Sequence, residues 1–270
     1  MIEGLPLPLW EWVAYLAMGS LAGVLAGLLG VGGGLVIVPV LLWVFATLAM
    51  NPDVIPHLAI GTSLATIVVT ALSSIHAHQS RGAIGWAWVW GLTPGILLGA
   101  WFGTVIAAWL SGSSLKRIFG FFVILLGVQM LMGVRFERTW RLPGRWGLAG
   151  VGGVIGMLSA LIGIGGGSLT VPFLAGGGVV MSQAVATSAA CGFPIAVAGT
   201  LGFVWNGWGL PGLPSGSSGF VYWPAVAGIT LTSSLMAPWG ARLAHHLPAV
   251  VLKRVFSALL LLMGARLLFG

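Results

Sequence analysis

The chain has 270 residues, of which 58% are hydrophobic and only 6% are charged. A soluble domain carries about 25% charged residues, so this composition excludes an ordinary water-soluble protein and predicts several membrane-spanning helices. The formal net charge of +7 does not indicate a nucleic-acid partner, because no stripe of Lys and Arg is long enough to follow a phosphate backbone. The single cysteine, Cys191, excludes an internal disulfide and a cysteine-based metal cluster. We expect neither a cofactor nor a metal site.

Apolar segments follow one another along the chain in two groups of five. The first group covers residues 12–29, 35–50, 57–76, 84–110 and 116–133, and the second covers 147–164, 168–180, 183–205, 220–244 and 250–269. We therefore predict an all-α polytopic membrane protein with a first transmembrane repeat at 1–134, a basic linker at 135–146 and a second repeat at 147–270. The segments at 35–50 and 168–180 are short for a full span, so each is expected to form a re-entrant hairpin or a broken helix with the segment before it.

One phrase occurs twice, at the junction of the first two segments of each group. Residues 23–39 read GVLAGLLGVGGGLVIVP, and residues 156–172 read GMLSALIGIGGGSLTVP. Each copy holds a glycine cluster and then a proline, Pro39 or Pro172, which kinks a helix or frees a carbonyl group. Broken segments at corresponding places in two halves are typical of membrane transporters with internal repeats.

The distribution of cations predicts the relative orientation of the two repeats. If each repeat crosses the membrane an odd number of times with the linker inside, eight cations are cytoplasmic: Arg81, Arg135, Arg138, Arg141, Arg145, Arg242, Lys253 and Arg254. The three external ones are then Lys116, Arg117 and Arg266. An even number of crossings divides the same cations six against five at best. The positive-inside rule therefore favours inverted repeats, and the Gly-, Pro- and Ser-rich stretch 205–219 becomes a polar, flexible outer loop.

The glycine breaks are the first candidate for a binding site. Glycine lets a ligand approach the backbone closely, and the helix after each break presents free N–H groups and a partial positive charge, which suit an anion. Two breaks related by a two-fold axis in the membrane would meet in one midplane cavity. The predicted substrate ligands here are Gly30, Gly32, Gly33, Gly34, Leu35, Gly163, Gly165, Gly166, Gly167 and Ser168. Close helix packing is the alternative role of these glycines.

Hydroxyl side chains follow each break at similar distances and extend the candidate site. They are Thr62, Ser63, Thr187 and Ser188, and such neutral donors suit a small oxyanion; hydrogen bonding between helices is their alternative role. Cys191 lies one helical turn beyond Ser188 and is expected to pack. At the cytoplasmic mouth His78, Gln79 and Arg81 either gather anions or only set the topology. His57 is the candidate proton carrier inside the membrane.

No intramembrane carboxylate is expected to couple transport to a proton or sodium gradient, because the four acids lie near segment ends or in loops: Glu3, Glu11, Asp53 and Glu137. For an exported monoanion the inside-negative potential supplies about 2.3 kcal/mol per 100 mV, so export needs no coupling residue, whereas uptake would. Neither a G-x-S-x-G nor an H-E-x-x-H motif occurs, and we do not expect an enzyme.

The chain resembles the sulfite exporter TauE/SafE family, also called the four-toluene-sulfonate uptake permease family. The resemblance lies in the paired G-x-G-G-G-x-x-x-x-P phrases, the Thr-Ser elements after them and the string His78-Gln-Ser-Arg81-Gly82. The resemblance covers essentially the whole chain. It implies a multi-pass permease of the bacterial cytoplasmic (inner) membrane for small anions that often contain sulfur, such as sulfite, sulfoacetate and other organosulfonates.

The combined prediction is an alternating-access carrier that holds its anion where the two breaks meet and favours export. Two other functions stay open. An anion channel would give single-channel currents, and a membrane scaffold or chaperone would give no flux. The lipid bilayer and the small anion are the expected partners, and a homodimer is kept open as an assembly.

Overall fold

The computed structural model describes residues 9–29, 34–80, 82–132, 140–244 and 249–269. In these ranges ten helices and one short hairpin follow each other. They are α1 Leu9–Leu29, α2 Gly34–Thr47, α3 Ile55–Gln79, α4 Trp86–Trp109, α5 Gly112–Leu131, α6 Arg145–Ile162, α7 Gly167–Gly176, α8 Met181–Asn206, β1 Ser217–Ser218, β2 Val221–Tyr222, α9 Trp223–Ala244 and α10 Ala249–Phe269. Each of the predicted apolar segments corresponds to one helix, so the prediction of an all-α polytopic membrane protein is confirmed.

Among the described residues, five helices are long and apolar enough to cross a membrane: α3, α4, α5, α6 and α8. Exposed tryptophans flank these helices at both ends of the bundle, for example Trp109 and Trp205 at one end and Trp146 at the other. Amphipathic tryptophan rings favour the level of the lipid headgroups. The chain is therefore an integral, multi-pass membrane protein.

The two short helices both return to the end of the bundle from which the preceding helix begins. Helix α7 has 10 residues and is about 15 Å long at 1.5 Å per residue, half of a hydrocarbon core. Its last residue, Gly176, accepts a hydrogen bond of 3.3 Å from the N–H of Trp140, shortly before α6. Likewise Met50, after α2, lines the same cleft as Glu11 in the first turn of α1. The pairs α1–α2 and α6–α7 are therefore helical hairpins, which decides between the two predicted forms.

The helix pairs with the most extensive contacts are α4–α6, α1–α9, α5–α10 and α3–α8. The first five helices can be exchanged in order with the last five, so that α1 takes the place of α6 and α4 the place of α9. The pair α1–α9 then becomes the pair α6–α4, and the pairs α3–α8 and α5–α10 each become themselves. These four pairs are thus preserved when the two halves of the bundle are exchanged.

The contacts also give the direction of each helix pair. In α3 and α8, Gly61 lies against Phe203 and the side chain of Leu64 lies against Gly199. The residue numbers rise in α3 while they fall in α8, so the two helices are antiparallel. The same holds for α5 and α10, where Gly120 faces Leu267 and Gly127 faces Leu261. In these two pairs, the corresponding helices of the two halves run in opposite directions.

Close packing of α4 on α6 depends on a row of glycines at every fourth position of α4. They are Gly91, Gly95, Gly99 and Gly103. A methyl group on Gly95 would overlap the carbonyl oxygen of Ala149, and one on Gly99 would overlap that of Gly153. This is the small-residue packing of membrane helices. Glycine as a packing residue is thus most evident here, away from the two breaks.

The hairpin β1–β2 inserts into the bundle at the end where α1 and α3 begin. Phe220 is stacked on His57 with ring centroids 4.8 Å apart, and Tyr222 packs edge-on against Phe45. Residues 208–212 are exposed, as expected for the outer loop, but residues 219–222 are buried. The predicted segment 220–244 therefore begins too early: α9 begins at Trp223, because the three residues before it are held by tertiary contacts.

Candidate binding site

The second glycine break reverses the chain between α6 and α7. Gly163 ends α6 with φ 77° and ψ 31°, and Gly166 precedes α7 with φ 76° and ψ −9°. Both lie in the left-handed region, where a residue with a Cβ is disfavoured by roughly 1–2 kcal/mol. Glycine is therefore required at these two positions by the backbone itself. Gly165 lies between them, and Gly167 is the first residue of α7.

The start of α2 lies directly against this turn. Gly30, Gly32 and Gly33 are outside the described residues, but Gly34 is the first residue of α2. A methyl group on Gly34 would lie 2.5 Å from the carbonyl oxygen of Gly163 and 3.1 Å from the Cα of Ile164. The N-terminal end of α2 and the α6–α7 turn are thus in backbone contact, inside the bundle. Leu35, the next residue, is buried.

Ser63, in the middle of α3, joins the same contact. Its Oγ donates a 3.0 Å hydrogen bond to the carbonyl oxygen of Gly163, and the side chain is fully buried. The structure therefore brings part of the predicted set together: Gly34 of α2, Gly163 of the α6–α7 turn and Ser63 of α3 meet at one place.

Thr62 and Thr187 do not join this contact, and each makes the same kind of hydrogen bond to the other half of the chain. The Oγ1 of Thr62 accepts a 3.0 Å hydrogen bond from the N–H of Tyr222, the residue before α9. The Oγ1 of Thr187 accepts a 2.9 Å hydrogen bond from the N–H of Gly85, the residue before α4. These two hydroxyls fasten the starts of corresponding helices, which is the helix-packing role left open above. Ser188 is buried in α8.

Three hydroxyls around the start of α7 have no hydrogen-bond partner among the described residues: Ser159 Oγ, Ser168 Oγ and Thr170 Oγ1. A methyl group on Gly166 would lie 3.5 Å from Thr170 Oγ1 and 3.7 Å from Ser159 Oγ. Sequence reasoning named Ser168 but missed Ser159 and Thr170. Their signal was present in the second glycine phrase, as hydroxyl residues within an otherwise apolar run.

His57 lies in the first turn of α3. Its Nε2 donates a 2.9 Å hydrogen bond to the carbonyl oxygen of Ala107 at the end of α4. Its Nδ1 is buried and has no partner among the described residues. This geometry links α3 to α4, and the part of His57 as a proton carrier stays a prediction.

The other predicted residues lie farther from the break or outside the description. Pro39 and Pro172 each lie five residues after the first residue of α2 and α7. His78 and Gln79 end α3, and the Oε1 of Gln79 accepts a 2.9 Å hydrogen bond from Trp86 Nε1. Arg81 is outside the described residues. Cys191 is fully buried, which fits the expected packing role. Within the described ranges no cluster of His, Cys, Asp or Glu has the size of a metal site.

A bundle of apolar helices whose broken segments meet in its interior has the architecture of a secondary membrane transporter. Comparison with known proteins leads to the same class. Residues 15–267 match the family model described as Sulfite exporter TauE/SafE, and the chain belongs to this family of membrane transporters.

Several relatives are described as probable membrane transporter proteins. One from Haemophilus influenzae is 37% identical over 250 residues, which cover 92% of this chain and 95% of that protein. YunE of Bacillus subtilis is 31% identical over 60% of this chain and 66% of its own length. YdhB of the same organism is 25% identical over 92% of this chain and 97% of its own length. No solved structure matches the chain.

Proposed function

We propose that the protein is a permease of the bacterial cytoplasmic membrane that exports a small anion, with sulfite, sulfoacetate or another organosulfonate as the substrate class. The observation that carries this proposal is the contact between the start of α2 and the α6–α7 turn, through Gly34 and Gly163. This contact brings one helix N-terminus and one chain reversal to the same buried place, as in transporters with discontinuous helices.

An anion fits this place better than a cation. The start of α7 offers backbone N–H groups and the positive end of a helix dipole. Among the side chains that the structure describes, the one charged group that is buried is Glu11, which lies near the beginning of α1 and not at the break. A site made of neutral donors binds a partly dehydrated anion without the strong attraction of a fixed arginine, so the anion can leave again.

The relative directions of the helices support inverted repeats. The corresponding helices α3 and α8 are antiparallel, as are α5 and α10, and exchange of the halves preserves the four most extensive helix pairs. In this arrangement Arg141 and Arg145 lie at the end of the bundle where α3 ends, whereas Glu11 and Asp53 lie at the opposite end. The positive-inside rule makes the arginine end cytoplasmic, although Lys116 and Arg117 near the start of α5 lie at the other end.

Alternating access then follows from movement of one half against the other. At the proposed outer end an open cleft of about 390 Å³ is lined by Glu11, Asn51 and Tyr222, among others. Tyr222 also bonds through its N–H to Thr62, the neighbour of Ser63 in α3. The β1–β2 hairpin therefore lies between the cleft and the site, and its displacement would open the site outward. The membrane potential, about 2.3 kcal/mol per 100 mV for a monoanion, favours export without a coupling ion.

Flux of radiolabelled sulfite in proteoliposomes tests the proposal. Saturable flux with counterflow supports the carrier, single-channel currents would make the protein a channel, and absence of flux for every anion of a panel would favour a scaffold. The panel contains sulfite, sulfate, thiosulfate, sulfoacetate, taurine and lactate. A thermal-shift screen selects the anion first, because a ligand that binds the folded state stabilises it.

The variant Gly166→Val links flux to the break. Valine disfavours the left-handed conformation of residue 166, and its Cβ would overlap the Cδ1 of Ile195. Gly150→Val is the matched control, since no atom lies within 4 Å of a Cβ at this position of α6. Flux that is equal in the two inserted variants would refute the assignment of the site.

A further inference from the structure

The second glycine break contains an unusual group of buried hydroxyls. Ser159 is 1% exposed and Thr170 is 0% exposed, and neither hydroxyl has a partner among the described residues. Both lie within 4 Å of the position that a Cβ of Gly166 would take. Since most buried polar side-chain atoms in proteins are hydrogen-bonded, two unpaired hydroxyls beside one glycine indicate a ligand.

The backbone adds donors at the same place. The N–H groups of Leu169 and Thr170 are bonded to the carbonyl oxygen of Gly166, at 3.1 and 2.8 Å. These are the first backbone hydrogen bonds of α7. The N–H groups of Gly167 and Ser168 precede them and have no partner within the helix. They point out of the N-terminal end of α7, where an anion is favoured.

The first break cannot supply the same hydroxyls. When the two phrases are aligned with Gly23 opposite Gly156, the counterparts of Ser159, Ser168 and Thr170 are three apolar residues. They are Ala26, Leu35 and Ile37. Leu35 and Ile37 are buried members of the hydrophobic core. The duplication has therefore kept the glycine phrase in both halves but the hydroxyl groups in one.

We propose that the transported anion is held by the second break alone, and that the first break serves as its packing partner. The ligands are the hydroxyls of Ser159 and Thr170 with the N–H groups of Gly167 and Ser168. This inference rests on the proposed transport function and makes it more specific.

The experiment compares Ser159→Ala and Thr170→Val with the control Thr104→Val, in full-length purified protein. Thr104 is buried as completely as Thr170, but its hydroxyl is already bonded to the carbonyl oxygen of Trp101 at 2.7 Å. The dissociation constant is obtained from the concentration dependence of the thermal shift with sulfite, sulfoacetate and lactate. Loss of one hydrogen bond to a charged ligand weakens binding about tenfold or more.

The expected result has two parts. Both site variants bind sulfite or sulfoacetate about tenfold more weakly than the wild type, and the control binds as the wild type does. Without ligand, both site variants melt at the same temperature as the wild type or higher, because they remove a buried hydroxyl that has no partner. A purely structural role of these hydroxyls would instead lower the melting temperature.

Three results would overturn this inference alone. Wild-type affinity for the anion in both site variants would show that these hydroxyls are not ligands. An equal loss of affinity in the Thr104 control would show that the effect is not specific to the site. A lower melting temperature without ligand, at unchanged affinity, would show a structural role. If the wild type responds to no anion of the panel, the proposed transport function fails, and this inference fails with it. The first three results leave the transport function itself intact.

Discussion

Replacement of Gly34 by alanine tests whether the contact between the two breaks matters. The added Cβ would lie 2.5 Å from the carbonyl oxygen of Gly163, 3.0 Å from the Cδ1 of Ile67 and 3.1 Å from the Cα of Ile164. The Ile67 side chain can rotate away. The two backbone atoms can move only if α2 separates from the α6–α7 turn.

The expected loss of stability combines two destabilising effects and one stabilising effect. Overpacking of a tight contact costs about 1–3 kcal/mol, and displacement of the Gly163 carbonyl also weakens the hydrogen bond from Ser63, worth about 0.6–1 kcal/mol in a membrane protein. The higher helix propensity of alanine returns at most about 1 kcal/mol. We therefore expect Gly34→Ala to lower the free energy of unfolding by about 2 kcal/mol.

The assay is unfolding of the purified protein in detergent, together with anion flux in proteoliposomes at equal protein content. Gly150→Ala is the control, because a Cβ at position 150 meets no atom within 4 Å; its stability should be unchanged or higher by up to about 1 kcal/mol. Flux should fall in Gly34→Ala and stay normal in Gly150→Ala. Equal stability and equal flux of the two variants would refute the reasoning.

The α4–α6 contact predicts that Gly95→Ala destabilises the bundle by about 1–3 kcal/mol, because the added methyl group overlaps backbone atoms of α6. The control Gly153→Ala should be tolerated, because its Cβ would lie 3.7 Å from the Gly95 carbonyl oxygen. Equal melting temperatures of the two variants would contradict this prediction. If His57 carries protons, His57→Gln should abolish the pH dependence of flux, and if it only bonds Ala107, the variant keeps that dependence at lower stability. Cys191 is fully buried, so N-ethylmaleimide should label it much more slowly in the folded protein than in the unfolded protein, as mass spectrometry can measure.

The helices and their breaks could be predicted from the sequence because they depend on local properties. An apolar run of sufficient length becomes a helix in a membrane wherever it packs, since its backbone groups must bond within the segment. Gly163 and Gly166 reverse the chain by their own left-handed conformation. The four-residue spacing of Gly91, Gly95, Gly99 and Gly103 is equally local and is typical of a close helix contact in a membrane.

The sequence by itself therefore determined the class of protein, the ten segments and the two breaks. The tertiary structure decided which hydroxyls are engaged. Thr62 is bonded to a residue 160 positions away, Thr187 to one 102 positions away and Ser63 to one 100 positions away, while Ser159 and Thr170 find no partner among the described residues. In the sequence all of these are equivalent small hydroxyl residues. Whether such a group is bonded or free depends on contacts between distant helices, which a local pattern does not contain.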